Sequence, residues 1–199
     1  AFFTEFERFD RHVDKLKRQE ESRIDYVSIC SPNYLHDAHC RFSLRSGAHA
    51  ICEKPLVLNP WNLDGLQLMD KEFGRTISTI LQLRLHPTLQ KLKESLDTSK
   101  RATVDLCYIT PRGSWYHHSW KGEEKKSGGI ATNIGIHFFD MLFWLFGKAQ
   151  QSTVNVSKHD VAAGTLTLEG ADVRWFLSTN PAYLPQEQQK EMRPFRSIL

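Results

Sequence analysis

The 199-residue chain is 40% hydrophobic and 25% charged, with a formal net charge of +3, ordinary values for a globular protein. That charge is too small and too scattered to argue for a nucleic-acid partner: the densest basic spots, Lys15-Leu16-Lys17-Arg18 and Lys125-Lys126, have acids beside them and read as solvated faces. The four cysteines, Cys30, Cys40, Cys52 and Cys107, show no C-x-x-C spacing, which argues against a zinc or dithiol motif and fits a reducing cytosol.

Residues 3–20 are charged and helix-compatible. Residues 25–30 then read as a buried strand, broken by Ser31-Pro32-Asn33, and a helix is expected over 35–45 with Gly47 closing it. The apolar run 48–52 reads as a second strand, ending at Glu53-Lys54-Pro55. A helix over 60–73, closed by Gly74, leads to a strand over 75–83. Strands alternating with helices at this spacing predict βαβ units and a parallel sheet. Cys30 and Cys52 fall inside the strand runs and are expected to be buried thiols.

The pattern changes after His86-Pro87. A helix over 88–96 precedes a strand over 102–109, a polar and aromatic loop over 110–127, and a strongly apolar helix over 130–146 stopped by Gly147. Alternating stretches at 152–156, 162–169 and 172–178 predict antiparallel strands, and 195–199 resembles the start of another. The apolar run 138–146 is too short to cross a bilayer and holds Asp140. No signal-peptide pattern is seen, so a cytoplasmic location is expected.

Proline fixes its own φ and biases the preceding residue away from helix. Lys54 is thereby held extended at the C-terminal end of a strand, the edge where open α/β sheets bind ligands. A lysine there suits proton transfer or phosphate contact; the competing reading is a surface lysine in a turn. Ser31, Asn33 and His36 fall at the same edge, where they can face a cofactor; the competing reading is simple N-capping by Ser31 or Asn33, a role that does not exclude the first.

On a regular helix Asn133 and His137 share a face, with Asp140 able to reach the same side. A histidine between polar neighbours is placed to titrate near neutral pH; the alternative is a core histidine satisfied by Asn133 or a backbone carbonyl. In the loop, Arg112, Lys121 and Lys126 offer charge, while Trp115, Tyr116 and Trp120 offer ring faces. A lid or subunit contact is the other reading of that loop. His117-His118 is a poor metal pair, since adjacent residues rarely point the same way, and no metal site is expected.

These segments, in order, resemble the Gfo/Idh/MocA family of NAD(P)-dependent sugar oxidoreductases: a strand then Ser31-Pro32-Asn33, Glu53-Lys54-Pro55, and Gly128-Gly129 ahead of a helix with His137 and Asp140. The loop motifs Arg112-Gly113-Ser114-Trp115-Tyr116, Ser119-Trp120-Lys121-Gly122 and Lys126-Ser127-Gly128-Gly129 are similar to the branch that oxidises UDP-N-acetyl-glucosaminuronic acid at the 3-hydroxyl for lipopolysaccharide O-antigen precursors. The resemblance implies an α/β chain of two domains. Residues 1–86 would be the later part of a Rossmann domain lacking its first βαβ, and 87–199 an incomplete substrate-binding and oligomerisation domain with an open mixed or antiparallel sheet.

The resemblance also implies Lys54 and His137 as the catalytic proton-transfer pair, expected to converge on one hydroxyl. Ser31, Asn33, His36, Glu53 and Lys54 would bind NAD. Lys54, Arg84, Arg112, Trp115, Tyr116, Trp120, Lys121, Asn133 and His137 would bind the nucleotide sugar. Many relatives have aspartate where this chain has Asn133, which cannot act as a base. A homo-oligomer, dimer or tetramer, is implied, with 2-oxoglutarate as reoxidant. No G-x-G-x-x-G or ribose-binding acid has a counterpart here, which leaves NAD against NADP open and gives the competing expectation of a truncated, non-catalytic assembly module. A third reading is another sugar or inositol dehydrogenase of the same family.

Overall fold

Three short parallel strands, β1 (Tyr26–Ile29), β2 (His49–Cys52) and β3 (Ile77–Thr79), form the first sheet in the order β1-β2-β3. In register, Ile29 pairs with Cys52 and Cys52 with Thr79. A computed structural model describes residues 1–199, apart from the side chain of Glu20. The chain divides into two units, residues 1–80 and 81–199.

In the first unit, helix α1 (Phe6–Lys17) precedes β1, α2 (His36–Arg45) joins β1 to β2, and α3 (Trp61–Phe73) joins β2 to β3. The connections are the βαβ crossovers that parallel pairing requires. Gly74 ends α3 with φ of 59°, a left-handed conformation that glycine adopts without steric cost. The core is small: Ile29, Cys40, Ala50, Cys52 and Leu66 are buried together. Cys30 is exposed, contrary to expectation, because it lies just past the end of β1.

The third strand is shorter than its apolar pattern predicts. Residues 82–85 form a 3₁₀ turn instead, and Leu83 packs against the core of the second unit. The two units therefore divide at Ile80/Leu81, earlier than the 86/87 boundary read from the His86-Pro87 break.

After the 3₁₀ turn the second unit continues with α4 (Pro87–Ser95) and β4 (Ala102–Ile109). The polar segment expected to be loop holds two short helices, α5 (Ser114–His118) and α6 (Glu124–Ser127), and leads into α7 (Ile136–Phe146). Strands β5 (Ala149–Ser157), β6 (Val161–Leu168) and β7 (Ala171–Ser178) follow, then the single turn α8 (Gln186–Gln189) and β8 (Phe195–Ile198). The sheet order is β5-β6-β7-β4-β8. β4 and β7 run parallel and the other pairs antiparallel, so the sheet is mixed and open.

One face of this sheet packs on α7. Phe138, Met141 and Leu142 bury against Leu106, Leu166, Val173, Trp175 and Leu177, an alternating set along the strands. At Gly135 the chain passes so near the sheet that a Cβ would lie 2.8 Å from Leu177 Cδ1. The helical stretch 124–146 has 23 residues and is long and apolar enough, by length and composition, to cross a membrane. That exceeds the run weighed from sequence, since helix continues on the N-terminal side. Its buried side chains make it the core helix of the sheet.

Candidate active-site groups

In the first unit, Ser31, Asn33, Glu53 and Lys54 follow the C-terminal ends of β1 and β2. The Glu53 amide donates to the Ile29 carbonyl at 2.9 Å, closing the ladder just before Lys54, and the Lys54–Pro55 peptide is cis. Asn33 is buried and opens a 3₁₀ turn, so the N-cap position of α2 falls to Leu35. Neither Ser31 nor Asn33 is the cap that local sequence suggested.

Two histidines on α2 organise the loop after β1. Ser31 Oγ lies 2.9 Å from His39 Nδ1, and the His39 ring stacks on Phe6 at 5.2 Å. Burial lowers the His39 pKa, and the nearby His36 ring adds to the effect. His36 itself is fully buried. Its Nδ1 lies 2.7 Å from the Pro55 carbonyl oxygen and its Nε2 2.8 Å from that of Ser31. The ring expected beside nicotinamide thus lies under the surface, between two backbone carbonyls. Behind this edge the Cys52 thiol is pushed up, first by its contact with Cys40 and then by burial, so it is poorly nucleophilic.

In the second unit, Asn133 and His137 are joined through a π-helical segment, Ala131–Gly135, before α7 begins. The helix is therefore not the regular α-helix expected over this stretch. Such segments recur at functional sites. Asn133 is buried, and its Nδ2 donates to the Tyr116 hydroxyl at 3.4 Å. Gly128 and Gly129, at φ of 85° and 74°, give the tight entry to this helix.

The loop residues divide by exposure. Tyr116 is buried, while Trp115 is 56% exposed. The Arg112 guanidinium lies over the Tyr116 ring at 5.6 Å. Lys121 Nζ sits 5.4 Å from the Trp115 ring and 5.6 Å from that of Trp120, and Lys126 pairs with Glu123 at 2.7 Å. A cavity of about 60 Å³ is lined by Tyr116, Lys121, Ser127, Gly129, Lys158 and His159. Lys158 and His159, in the turn between β5 and β6, escape sequence reasoning because only the folded sheet brings them to the loop. Arg84 lies outside this group: it bonds Asp140 on α7 through two nitrogens.

Family models match most of the chain. The oxidoreductase family's NAD-binding Rossmann fold matches residues 2–80, and its C-terminal alpha/beta domain matches residues 93–193. The WlbA (WbpB) dehydrogenase of Thermus thermophilus, solved with NAD and alpha-ketoglutarate, is 49% identical with a TM-score of 0.94, covering 100% of this chain and 64% of that one. The same enzyme solved with NAD and UDP-GlcNAcA gives the same identity and TM-score, covering 65% of its chain. The D-glucoside 3-dehydrogenase of Escherichia coli is 26% identical over 137 residues, 66% of this chain and 38% of its own length. The chain thus spans less than two thirds of these relatives.

Proposed function

We propose that this chain, which belongs to the Gfo/Idh/MocA oxidoreductase family, carries the catalytic groups of an NAD-dependent dehydrogenase acting on the 3-hydroxyl of UDP-N-acetyl-glucosaminuronic acid. The observation that carries the reading is the likeness, over the whole chain, to the Thermus dehydrogenase solved with NAD and UDP-GlcNAcA.

The groups at the end of the first sheet suit the nicotinamide end of the cofactor. Ser31, Asn33 and Glu53 are polar and lie where an open parallel sheet receives ligands. When bound, NAD accepts the hydride that leaves the sugar carbon.

The protein's own work is proton transfer and positioning. Lys54 or His137 takes the proton from the 3-hydroxyl, a contribution of about 10²–10⁴ in rate. A lysine acting as base must first lose its own proton, whereas one that stays charged polarises the hydroxyl oxygen. Asn133, bonded to Tyr116, orients rather than accepts. Arg112 and Lys121 supply charge for the carboxylate and diphosphate, and Trp115 and Trp120 cover ring faces. Reoxidation by 2-oxoglutarate, a place in O-antigen precursor synthesis, a cytoplasmic location and a homo-oligomer built on the open sheet face complete the reading.

The test is NADH formation by the full-length protein with UDP-N-acetyl-glucosaminuronic acid. Turnover well above that with UDP-N-acetylglucosamine, D-glucosides or inositols supports the assignment. Faster turnover with an inositol or simple sugar moves the protein to another branch of the family.

A further inference from the structure

We propose that His36 is a positioning residue for Lys54, strapping the turn that carries Lys54 to the loop that carries Ser31 and Asn33. The proposal rests on the functional reading above, in which Lys54 works on the substrate hydroxyl.

The geometry is specific. His36 is fully buried at the start of α2, and a buried polar ring must find hydrogen-bond partners. Its two nitrogens reach two segments far apart in sequence, the Pro55 carbonyl at 2.7 Å and the Ser31 carbonyl at 2.8 Å. A carbonyl oxygen only accepts and a neutral imidazole carries one N–H, so a neutral ring donates to one of the two carbonyls, the tautomer deciding which, and packs against the other.

The place of the strap matters as much as its bonds. The pairing of β1 with β2 ends at Ile29 and Cys52, and the Glu53 amide makes the bond that closes it. Pro55 lies beyond that point, and Lys54 is between the two anchors, Glu53 on the ladder and Pro55 on His36. A planar ring held from both sides offers little slack. Small displacements of a reacting group are costly, about 10²-fold for 1 Å, so a buried ring can govern turnover without touching substrate or cofactor.

Two variants of the full-length protein test this: His36→Phe, which keeps a ring and removes its polar nitrogens, and His36→Gln, which retains a donor group. Each is assayed with NAD and UDP-N-acetyl-glucosaminuronic acid, and Lys54 acetylation by acetic anhydride is followed by peptide mass spectrometry. For His36→Phe the expected result is kcat lowered about 10–100-fold, KM for NAD within about threefold, and altered acetylation at Lys54 but not at the exposed Lys15. His36→Gln recovers part of both effects. Should His36→Phe fail to fold, His36→Gln decides by the same readouts against wild type. Unchanged Lys54 acetylation in a folded variant, or a loss of NAD affinity as large as the loss of kcat, overturns the proposal. If wild type forms no NADH with the sugar nucleotide, the functional reading fails, while the acetylation comparison still decides the strap.

Discussion

Arg84 forks onto Asp140. Its Nε donates to Asp140 Oδ2 at 2.8 Å and its Nη2 to Oδ1. The carboxylate side chain is 8% exposed and the guanidinium 45%, so a nearly buried charge depends on a half-exposed partner. The pair ties the 3₁₀ turn at 82–85 to α7, one turn beyond His137.

Removing Arg84 leaves that carboxylate without its fork. Arg84→Met is expected to cost about 1–3 kcal/mol, the usual penalty for orphaning a buried polar group. Asp140→Asn in the same background should cost much less than it does alone, giving a coupling of about 0.5–3 kcal/mol in a double-mutant cycle. Urea unfolding of the four proteins measures it. Additive losses would show that the fork does not tie the turn to α7.

His39 predicts an acid sensitivity of the first unit. Burial, with His36 adding to it, lowers its folded pKa below the usual histidine value of 6.5. The unfolded chain therefore binds the proton more readily than the folded one. Its contribution leaves stability intact above about 6.5 and erodes it as pH falls from there toward the folded pKa. His39→Gln removes the titration while keeping a group that can meet Ser31. Its thermal midpoint should fall less than that of wild type between pH 7 and 5.5, and parallel pH curves would contradict this.

Much of the fold was legible because its cues are local. Period-2 and period-3.6 patterns, Gly74 and the Gly128-Gly129 pair marked strands, helices and turns close to where they lie. The misses have tertiary causes. Residues 80–83 are apolar enough for strand, but Leu83 and Arg84 are drawn to the core and to Asp140. The π segment before His137 has no residue signature, so a regular α-helix was the expectation there. Residue type offers Tyr116 as a ring face for a ligand, but gives no sign that it is buried and bonded to Asn133. A short motif at a strand end is enough to place Lys54 and its neighbours, His36 among them, at the sheet edge, but says nothing of the two carbonyls beside the His36 ring.

Arg112 is expected to read the sugar's carboxylate. In the full-length enzyme, Arg112→Ala should raise KM for UDP-N-acetyl-glucosaminuronic acid about 10-fold or more, the scale of a lost charged hydrogen bond. KM for the uncharged UDP-N-acetylglucosamine should change far less. The guanidinium also packs on Tyr116, so thermal unfolding is followed in parallel. Equal rises for both substrates would assign Arg112 to packing or to the diphosphate.

The central claim, that Lys54 serves the chemical step rather than cofactor binding, is tested most directly by single-turnover hydride transfer in the full-length Lys54→Met enzyme loaded with NAD and UDP-N-acetyl-glucosaminuronic acid. The rate of NADH appearance is predicted to fall by about 10²–10⁴, with the dissociation constant for NAD changed no more than a few-fold. Hydride transfer at the wild-type rate, or a loss accounted for by weaker NAD binding, would contradict it.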